Sequence, residues 1–395
     1  MNYGIIAEFN PFHNGHKHLI DVLRENGDNT VTAVMSESFV QRGECACASP
    51  DVRTCMAIES GVDLVLSLPV AFATASAERF AEGGVTVLGS LGCIDKLAFG
   101  SESGDVEILK KCAEAITSEE FSPLLENRLN EGVSFPTARQ RALRDMYGDA
   151  FADALSSSND ILGVEYIKAL NKFGFDMEPV AVKRIGTGHD STEICGNICS
   201  ASAIREILKN SGDFHDVMPS NAVGILCEAI SQNKAPADFS KLENAVLYKL
   251  RTMSVEDFAV LPDVSEGLEY RFFEAVKKSV TLFEILEKVK TKRYTLSRLR
   301  RIVICAFLGI TKDVFFAPVP YIRVLGFNKR GAEVLKQAKN KTVLPVVTKY
   351  SDLKFMNADS KKYFELESKA RDVFSLCTPL PDVCGKEMTD KLIVL

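Results

Sequence analysis

Apolar and polar positions follow two different periods along the first half of the chain. Short apolar runs of strand length alternate with longer stretches in which apolar residues recur every three or four positions, which is the spacing of an amphipathic helix. The strand-like runs are residues 3–8, 31–35, 63–69, 96–100 and 179–184. The helix-like stretches are residues 51–60, 75–88, 106–116 and 161–172. This alternation predicts the α/β class, with a parallel sheet covered by helices on both faces.

The segment after the first strand is the strongest candidate for a binding site, because ligands of such sheets bind beyond the carboxyl ends of the strands. Pro11 ends the first strand, and Asn14 is expected to cap a helix whose first turn contains Gly15 and His16. The free N–H groups and the positive dipole end of that helix would face the ligand. The pattern therefore predicts an anion site.

His13 and His16 stand three residues apart, so both rings can face the same opening, and Gly15 allows a ligand close to the backbone. Imidazoles placed there can donate hydrogen bonds to phosphoryl oxygens as charge builds at phosphorus. One alternative is half of a zinc site completed by Cys45 and Cys47, although Cys-x-Cys is not a usual spacing for structural zinc. Another is an ordinary helix start.

A second helix start combines Ser200 as a predicted N-cap, the hydroxyl of Ser202 and the guanidinium of Arg205. Together they predict a cradle for a departing pyrophosphate. If this segment were considered alone, a capped surface helix with an exposed arginine would explain it better. Because the chain also contains the histidine pair, the pyrophosphate cradle is the better explanation. We also expect Asn159 or Asp160 to cap the helix over residues 161–172.

Composition restricts the class of protein further. The chain has 395 residues and is 46% apolar, which is enough for two or three domains with sizeable cores. No apolar run approaches the length of a membrane span, and the first residues carry no export signal. Its 11 cysteines show no disulfide-framework spacing, which fits a reducing compartment. We therefore expect a cytoplasmic protein without a membrane partner.

The net charge of −6 conceals an asymmetry between the two halves of the chain. Residues 1–215 carry 18 Lys and Arg against 31 Asp and Glu, whereas residues 216–395 carry 29 against 22. We predict a Rossmann-like catalytic domain that contains the anion site at 1–215 and a mainly helical, basic domain at 216–395.

Residues 288–301 contain seven basic and no acidic residues, with one tyrosine among them. Such a run is either a solvated face or a surface for a polyanion, and the basic balance of this half favours RNA. The candidate RNA-binding residues are Lys290, Lys292, Arg293, Arg298, Arg300 and Arg301.

Five segments carry a further pattern, and they are residues 8–16, 39–44, 99–102, 159–166 and 200–205. Taken in this order, they resemble the tRNA(Met) cytidine acetate ligase family of bacteria. The His-x-Gly-His and Ser-x-Ile-Arg elements belong to the wider nucleotidylyltransferase superfamily, which is related to class I aminoacyl-tRNA synthetases. The Phe-Val-Gln-Arg-Gly-Glu and Asn-x-Ile-Leu-Gly elements point to this family.

The resemblance implies a two-step reaction. Acetate and ATP would give acetyl-adenylate and pyrophosphate, and the acetyl group would pass to N4 of the wobble cytidine of elongator tRNA(Met), forming N4-acetylcytidine. The implied partners are ATP, acetate and this tRNA rather than DNA, with Mg²⁺ held mainly by the phosphates.

The residues that we expect to act fall into two groups. The catalytic group is His13, His16, Arg42 and Arg205. The ATP-binding group is Ile6, Ala7, Glu8, Phe9, Asn10, Pro11, Phe12, His13, Asn14, Gly15, His16, Gly100, Asn159, Arg184 and Ile185, together with Ser200, Ser202 and Arg205.

The chain departs from the family pattern in two places. Relatives commonly carry a lysine a few residues after Gln-Arg-Gly-Glu, where this chain reads Ala-Ser-Pro50-Asp-Val-Arg53. Any role of that lysine would then be absent or taken by Arg42 or Arg53. The family's Tyr-His-Asp appears here as Gly-His189-Asp190, one residue shorter.

Two other functions remain open from the sequence. The chain could adenylate a small metabolite without RNA, against which the basic second half argues. It could also be a non-enzymatic RNA-binding protein with a degenerate nucleotide pocket, against which the retained His13, Gly15, His16, Ser202 and Arg205 argue.

Overall fold

The computed structural model describes residues 1–25, 27–185 and 198–395. The first half begins with β1 (Asn2–Ala7), α1 (Asn14–Arg24), β2 (Thr30–Ser36), β3 (Phe39–Val40), β4 (Glu44–Cys45), α2 (Pro50–Glu59), β5 (Leu64–Leu68), α3 (Val70–Ala73) and α4 (Ala77–Gly89). It continues with β6 (Lys96–Ser101), α5 (Val106–Thr117), α6 (Phe121–Asn130), α7 (Phe135–Tyr147), α8 (Asp149–Ala154), α9 (Ser158–Phe173), β7 (Glu178–Lys183) and α10 (Ala201–Lys209).

The second half is mainly helical. Its helices and strands are α11 (Ser220–Ser231), α12 (Glu243–Arg251), α13 (Val255–Ala259), α14 (Leu268–Lys277), α15 (Leu282–Val289), α16 (Leu296–Leu308), α17 (Lys312–Phe316), β8 (Ile322–Phe327), α18 (Lys329–Ala338), β9 (Val346–Val347), α19 (Ala358–Ser375), α20 (Lys386–Thr389) and β10 (Ile393–Val394). Short 3₁₀ helices cover His215–Val217, Phe239–Leu242 and Tyr350–Phe355.

The main sheet has the strand order β10-β8-β5-β2-β1-β6-β7, with β9 beside β8. Its pairs are parallel except β5 with β8, which run antiparallel. The central strands β2 and β5 are apolar and buried along nearly their whole length because helices cover both faces of the sheet. β3 and β4 form a separate antiparallel hairpin.

Two apolar cores lie against the sheet. One contains Ile5, Phe9, Phe12 and Ile204 with apolar residues of α1, α2 and α11. The other is larger and joins α4 and α9 to the helices of the second half. The loop after β1 and the start of α10 therefore rest on one continuous core, which holds these two segments in fixed relative positions.

The predicted α/β architecture with a mainly helical second half is confirmed. The five predicted strands agree with β1, β2, β5, β6 and β7 to within one residue at each end. The second half also adds three strands to the sheet, which the sequence pattern did not indicate. The boundary between residues 215 and 216 stays a prediction. None of the described helices is both long enough and apolar enough to span a lipid bilayer.

Candidate ATP site and adjoining groove

The two histidines of the first motif cap helix α1. His13, and not Asn14 as we expected, is the N-cap residue. The N–H of Gly15 donates to Nδ1 of His13 at 3.0 Å, and the N–H of His13 donates to Nδ1 of His16 at 3.2 Å. A ring nitrogen that accepts a hydrogen bond carries no proton, so both neutral rings hold theirs on Nε2. Each ring therefore has an N–H donor on the edge opposite the helix.

The rings are held in place by close packing. Those of His13 and His16 stack with centroids 3.8 Å apart, and the ring of Phe9 packs edge-on to His16 at 5.0 Å. A Cβ atom at Gly15 would lie 2.8 Å from Cε1 of His13, so only glycine fits beneath the pair. The ring stacking and the close fit at Gly15 hold the two rings in one orientation.

A cleft opens above the carboxyl ends of β1, β6 and β7, where the sequence predicted the ligand. It is lined by most of the predicted ATP-binding residues and by Arg42. These residues are Ile6, Ala7, Glu8, Phe9, Asn10, His13, Gly15, His16, Gly100, Asn159, Arg184, Ile185, Ser200, Ser202 and Arg205. The structure thus brings together residues that are almost two hundred positions apart in sequence.

Three predicted residues do not line the cleft. Phe12 is fully buried, with its ring 5.0 Å from that of Phe9 and 5.4 Å from that of His16. Pro11 is buried beside it. Asn14 donates from Nδ2 to the backbone oxygen of Asp216 at 2.9 Å. These residues support the loop from below rather than facing a ligand. His189 and Asp190 lie outside the described residues.

Several lining residues were missed by the sequence reasoning. Tyr166 and Leu162 stand on the same face of α9 as Asn159, at helical spacing that the sequence already contains. Lys183 ends β7, directly before the predicted Arg184. The remaining residues that we did not predict are Ile5, His18, Leu19, Gln41, Phe80, Ala98, Phe99, Val182 and Ala201.

Glu8 brings a carboxylate to the cleft. Its Oε1 accepts from the N–H of Gln41 at 2.8 Å. Burial raises the pKa of Glu8 above its usual value, and this hydrogen bond and the nearby arginines, including Arg205 and Arg42, oppose the rise only in part. The group is therefore a better proton acceptor than an exposed glutamate.

Asn159 is oriented by a neighbouring carboxylate. Its Nδ2 donates to Oε1 of Glu102 at 2.5 Å. The prediction that Asn159 or Asp160 caps α9 is wrong, since the helix begins at Ser158 after the N-cap Ser157. Asp160 instead accepts from the N–H groups of Glu102 and Ser103 at 3.1 and 3.0 Å. These bonds fix the loop after β6.

The start of α10 closes the other side of the cleft. The predicted cap is confirmed, because the hydroxyl of Ser200 accepts from the N–H of Ala203 at 3.2 Å. The Oγ atoms of Ser200 and Ser202 lie 3.0 Å apart. Nη1 of Arg205 donates to the backbone oxygen of Asn10 at 2.9 Å, which joins this helix to the loop after β1.

Arg42 and Arg53, either of which could take any role of the family lysine if that role is not absent, differ in position. Arg53 is fully buried, and its guanidinium donates to the carbonyl oxygens of Ala48, Glu8, Ser36 and Glu37. It therefore supports the loops beneath the cleft and does not reach a ligand. Arg42 lines the cleft, so it is the remaining candidate for that role.

A second groove adjoins the cleft and shares Ser202 and Arg205 with it. Its walls come from both halves of the chain and include Glu44, Arg300 and the exposed ring of Phe283. Cys45 and Cys47 also line it as free thiols. Among the described residues, no cluster of three or more His, Cys, Asp or Glu side chains could hold a metal ion.

The six predicted RNA-binding residues fall into two sets. Lys290, Lys292 and Arg293 are exposed, and we call them the basic trio. Arg298 and Arg301 point inward to Asp263, Arg298 to its carbonyl oxygen at 2.7 Å and Arg301 to its carboxylate at 3.3 Å. Arg300 pairs with Glu44 at the groove.

Comparison with known proteins places these features in a family. The family model described as HIGH Nucleotidyl Transferase matches residues 1–389. A curated tRNA(Met) cytidine acetate ligase of Acetivibrio thermocellus is 38% identical over 99% of both chains. Another, of Caldicellulosiruptor saccharolyticus, is 40% identical over 94% of this chain and 93% of its own.

Solved structures show the same likeness. The crystal structure of Thermotoga maritima TmcAL in its apo form superposes with a TM-score of 0.93 at 34% identity, covering 100% of this chain and 99% of that one. The same protein bound with alpha-thio ATP superposes with a TM-score of 0.91 at 33% identity and the same coverage.

Proposed function

Since the chain belongs to the tRNA(Met) cytidine acetate ligase family of HIGH nucleotidyl transferases, we propose that it activates acetate with ATP and acetylates N4 of the wobble cytidine of elongator tRNA(Met). The names of its relatives and the binding of alpha-thio ATP by its structural neighbour support this. The proposed ATP site is the cleft above β1, β6 and β7.

The observation that carries the proposal is that His13 and His16, whose Nδ1 atoms accept backbone N–H groups, line the same cleft as Arg205. In the first step, a carboxylate oxygen of acetate bonds to the α-phosphorus, and the bond from that phosphorus to the bridging oxygen of pyrophosphate breaks. His13 and His16 would donate to the α-phosphoryl oxygens as their charge grows. Because both rings are fixed by their own hydrogen bonds, they need no reorganisation during the step.

Other cleft residues would bind the remaining charged groups of ATP and acetate. Arg205, with the hydroxyls of Ser200 and Ser202, would hold the β- and γ-phosphates. Arg42 would orient the acetate carboxylate or the α-phosphate. Among the described lining residues the cleft offers one carboxylate, Glu8, so Mg²⁺ would be held mainly by phosphates and water, as it commonly is. The ion would neutralise part of the phosphate charge.

In the second step, N4 of cytosine bonds to the acetyl carbon, the bond from that carbon to the AMP oxygen breaks, and one N4 proton passes to solvent. The base must reach the cleft unstacked, which suits an anticodon loop. The adjoining groove is the proposed route, since it opens directly onto Arg205 and is flanked by α16. The basic trio, at the amino-terminal side of α16, would contact RNA phosphates.

The test is to incubate the purified protein with ATP and labelled acetate, with and without tRNA(Met). We expect acetate-dependent exchange of pyrophosphate into ATP without RNA, and label on tRNA only when the wobble base is cytidine. A tRNA with uridine at this position is the matched control. Exchange without any tRNA labelling would favour adenylation of a small metabolite. RNA binding without exchange would favour a degenerate nucleotide pocket.

A further inference from the structure

Glu44 stands between two arginines that belong to different halves of the chain. Its Oε1 lies 2.5 Å from Nη1 of Arg300 on α16. Its Oε2 lies 4.0 Å from Nη2 of Arg205 on α10. Arg205 lines the ATP cleft, whereas Arg300 lines only the adjoining groove. One carboxylate thus faces a cation of the proposed triphosphate site and a cation of the proposed RNA route.

The β3–β4 hairpin holds Glu44 in this position. Gly43 has a φ of 72°, and a Cβ atom there would lie 2.6 Å from the backbone carbonyl carbon of Arg300. Only glycine therefore lets the turn rest on the backbone of α16. Two residues earlier, the N–H of Gln41 donates to Glu8 inside the cleft. The hairpin touches both sites, so Glu44 is fixed relative to each.

We propose that Glu44 is a positioning residue that makes the triphosphate and the RNA compete for its two arginines. This inference rests on the proposed function. A bound triphosphate draws Arg205 away from Glu44, whose charge then acts on Arg300 alone and opposes an RNA phosphate there. Once pyrophosphate has left, Arg205 shares Glu44 again, and Arg300 is more available to RNA. The RNA is then held more tightly after acetate activation than before it.

The size of this coupling follows from the exposure of the groups. The Glu44 side chain is 34% exposed and that of Arg300 is 39% exposed, so solvent screens the pair. Pairs of this kind change equilibria by about two- to fivefold. Thermodynamic linkage requires that RNA weaken the binding of ATP by the same factor.

The experiment measures the affinity of tRNA(Met) in the presence of ATP without acetate, and in the presence of AMP, at one ionic strength. Wild-type protein should bind tRNA about two- to fivefold more weakly with ATP than with AMP. In Glu44→Gln the ratio should be smaller, because no carboxylate remains for the arginines to share. General repulsion between ATP and RNA acts on both proteins, so the difference between their ratios isolates Glu44.

The matched control is Glu206→Gln. Glu206 lines the same groove and loses the same charge, but its Oε1 accepts from Asn210 at 3.0 Å. This variant should keep the wild-type ratio. A second variant, Arg300→Gln, should bind tRNA more weakly and show the same reduced ratio as Glu44→Gln. Thermal unfolding of each variant identifies any that fails to fold.

Three results would overturn the inference: a wild-type ratio of one, an unchanged ratio in Glu44→Gln, or an equal loss in Glu206→Gln. Each can occur while the wild-type protein still acetylates tRNA, which leaves the proposed function intact. A wild-type protein that neither binds nor acetylates tRNA would instead overturn the proposed function, and this inference with it.

Discussion

His16 has two proposed roles, which are to accept a hydrogen bond at the start of α1 and to donate one to the α-phosphate. Substitutions at this residue can separate the two roles. Its Nδ1 accepts from the N–H of His13 at 3.2 Å, whereas its Nε2 carries the donor proposed for the α-phosphate. An asparagine places its polar atoms near Nδ1, so His16→Asn keeps the acceptor and removes the donor. A glutamine reaches the position of Nε2, so His16→Gln keeps the donor and loses the acceptor.

The loss of the acceptor and the loss of the donor should change different quantities, stability in the first case and reaction rate in the second. A lost helix cap costs about 0.5 to 2 kcal/mol of stability. A lost donor to a developing oxyanion lowers the rate by about 10² to 10³. His16→Asn should therefore unfold like the wild type but be about 10²-fold or more slower in adenylate formation. His16→Gln should be less stable by about 1 kcal/mol and lose roughly tenfold or less in rate.

Two assays read these effects independently. Acetate-dependent exchange of pyrophosphate into ATP measures the first chemical step, and urea unfolding measures stability. The same substitutions at His18, which also lines the cleft but is not a member of the stacked pair, serve as the control. If His16→Asn keeps a near-normal exchange rate, or if the rate falls in proportion to stability in both variants, the histidine is structural and the catalytic role is refuted.

Three further predictions test other parts of the molecule. Replacing Ser202 and Arg205 together with Ala should weaken ATP binding by roughly tenfold to a hundredfold, and AMP binding much less; equal losses for both nucleotides in titrations would place α10 elsewhere in the site. Alanine at all three positions of the basic trio should leave tRNA-free exchange intact, slow tRNA acetylation and flatten the salt dependence of tRNA binding by about one unit of slope per lost contact. Wild-type transfer at subsaturating tRNA would rule that surface out. Burial and the nearby Glu37 raise the pKa of Glu367 well above its usual value, so the protonated acid stabilises the fold fully below the usual glutamate pKa, and that contribution is lost as the pH rises from there through the raised pKa. Glu367→Gln should therefore match the wild type most closely in acid and exceed its urea stability increasingly as the pH rises through neutrality, and parallel pH profiles would contradict this.

The strands of the first half could be predicted because each is a short apolar run whose pattern is set locally. β8 was missed for a physical reason. Only alternate residues of this strand are buried, and it joins the sheet by pairing antiparallel with β5, more than 250 residues earlier. Such a pairing depends on long-range packing that the period of a short segment does not encode. The same holds for β10, whose two residues pair with the end of β8.

The candidate site could be predicted where its functional residues are close together in sequence. His13, Gly15 and His16 are neighbours in sequence, so their common direction follows from the turn. The identity of the cap did not follow, because His13 and Asn14 are adjacent and only the backbone path decides between them. Asn159 was found, but its orientation by Glu102 depends on the contact between the start of α9 and the loop after β6, which are 57 residues apart. Such contacts require the folded structure.

Residues 288–301 show that counting basic residues in the sequence does not reveal which of them are exposed. Counting cations over residues 288–301 treats Arg298 and Arg301 as equal to Lys292, yet both arginines are bound to Asp263, 35 and 38 residues earlier in the chain. An internal anion that is distant in sequence turns a surface cation into a structural one, since the arginine then stabilises a loop instead of meeting solvent. Removing Arg301 would leave the largely buried Asp263 carboxylate without this partner and disturb the fold that supports the groove. A test of RNA binding therefore has to change the exposed trio, because a loss of activity in an Arg301 variant would not distinguish a missing phosphate contact from a displaced helix.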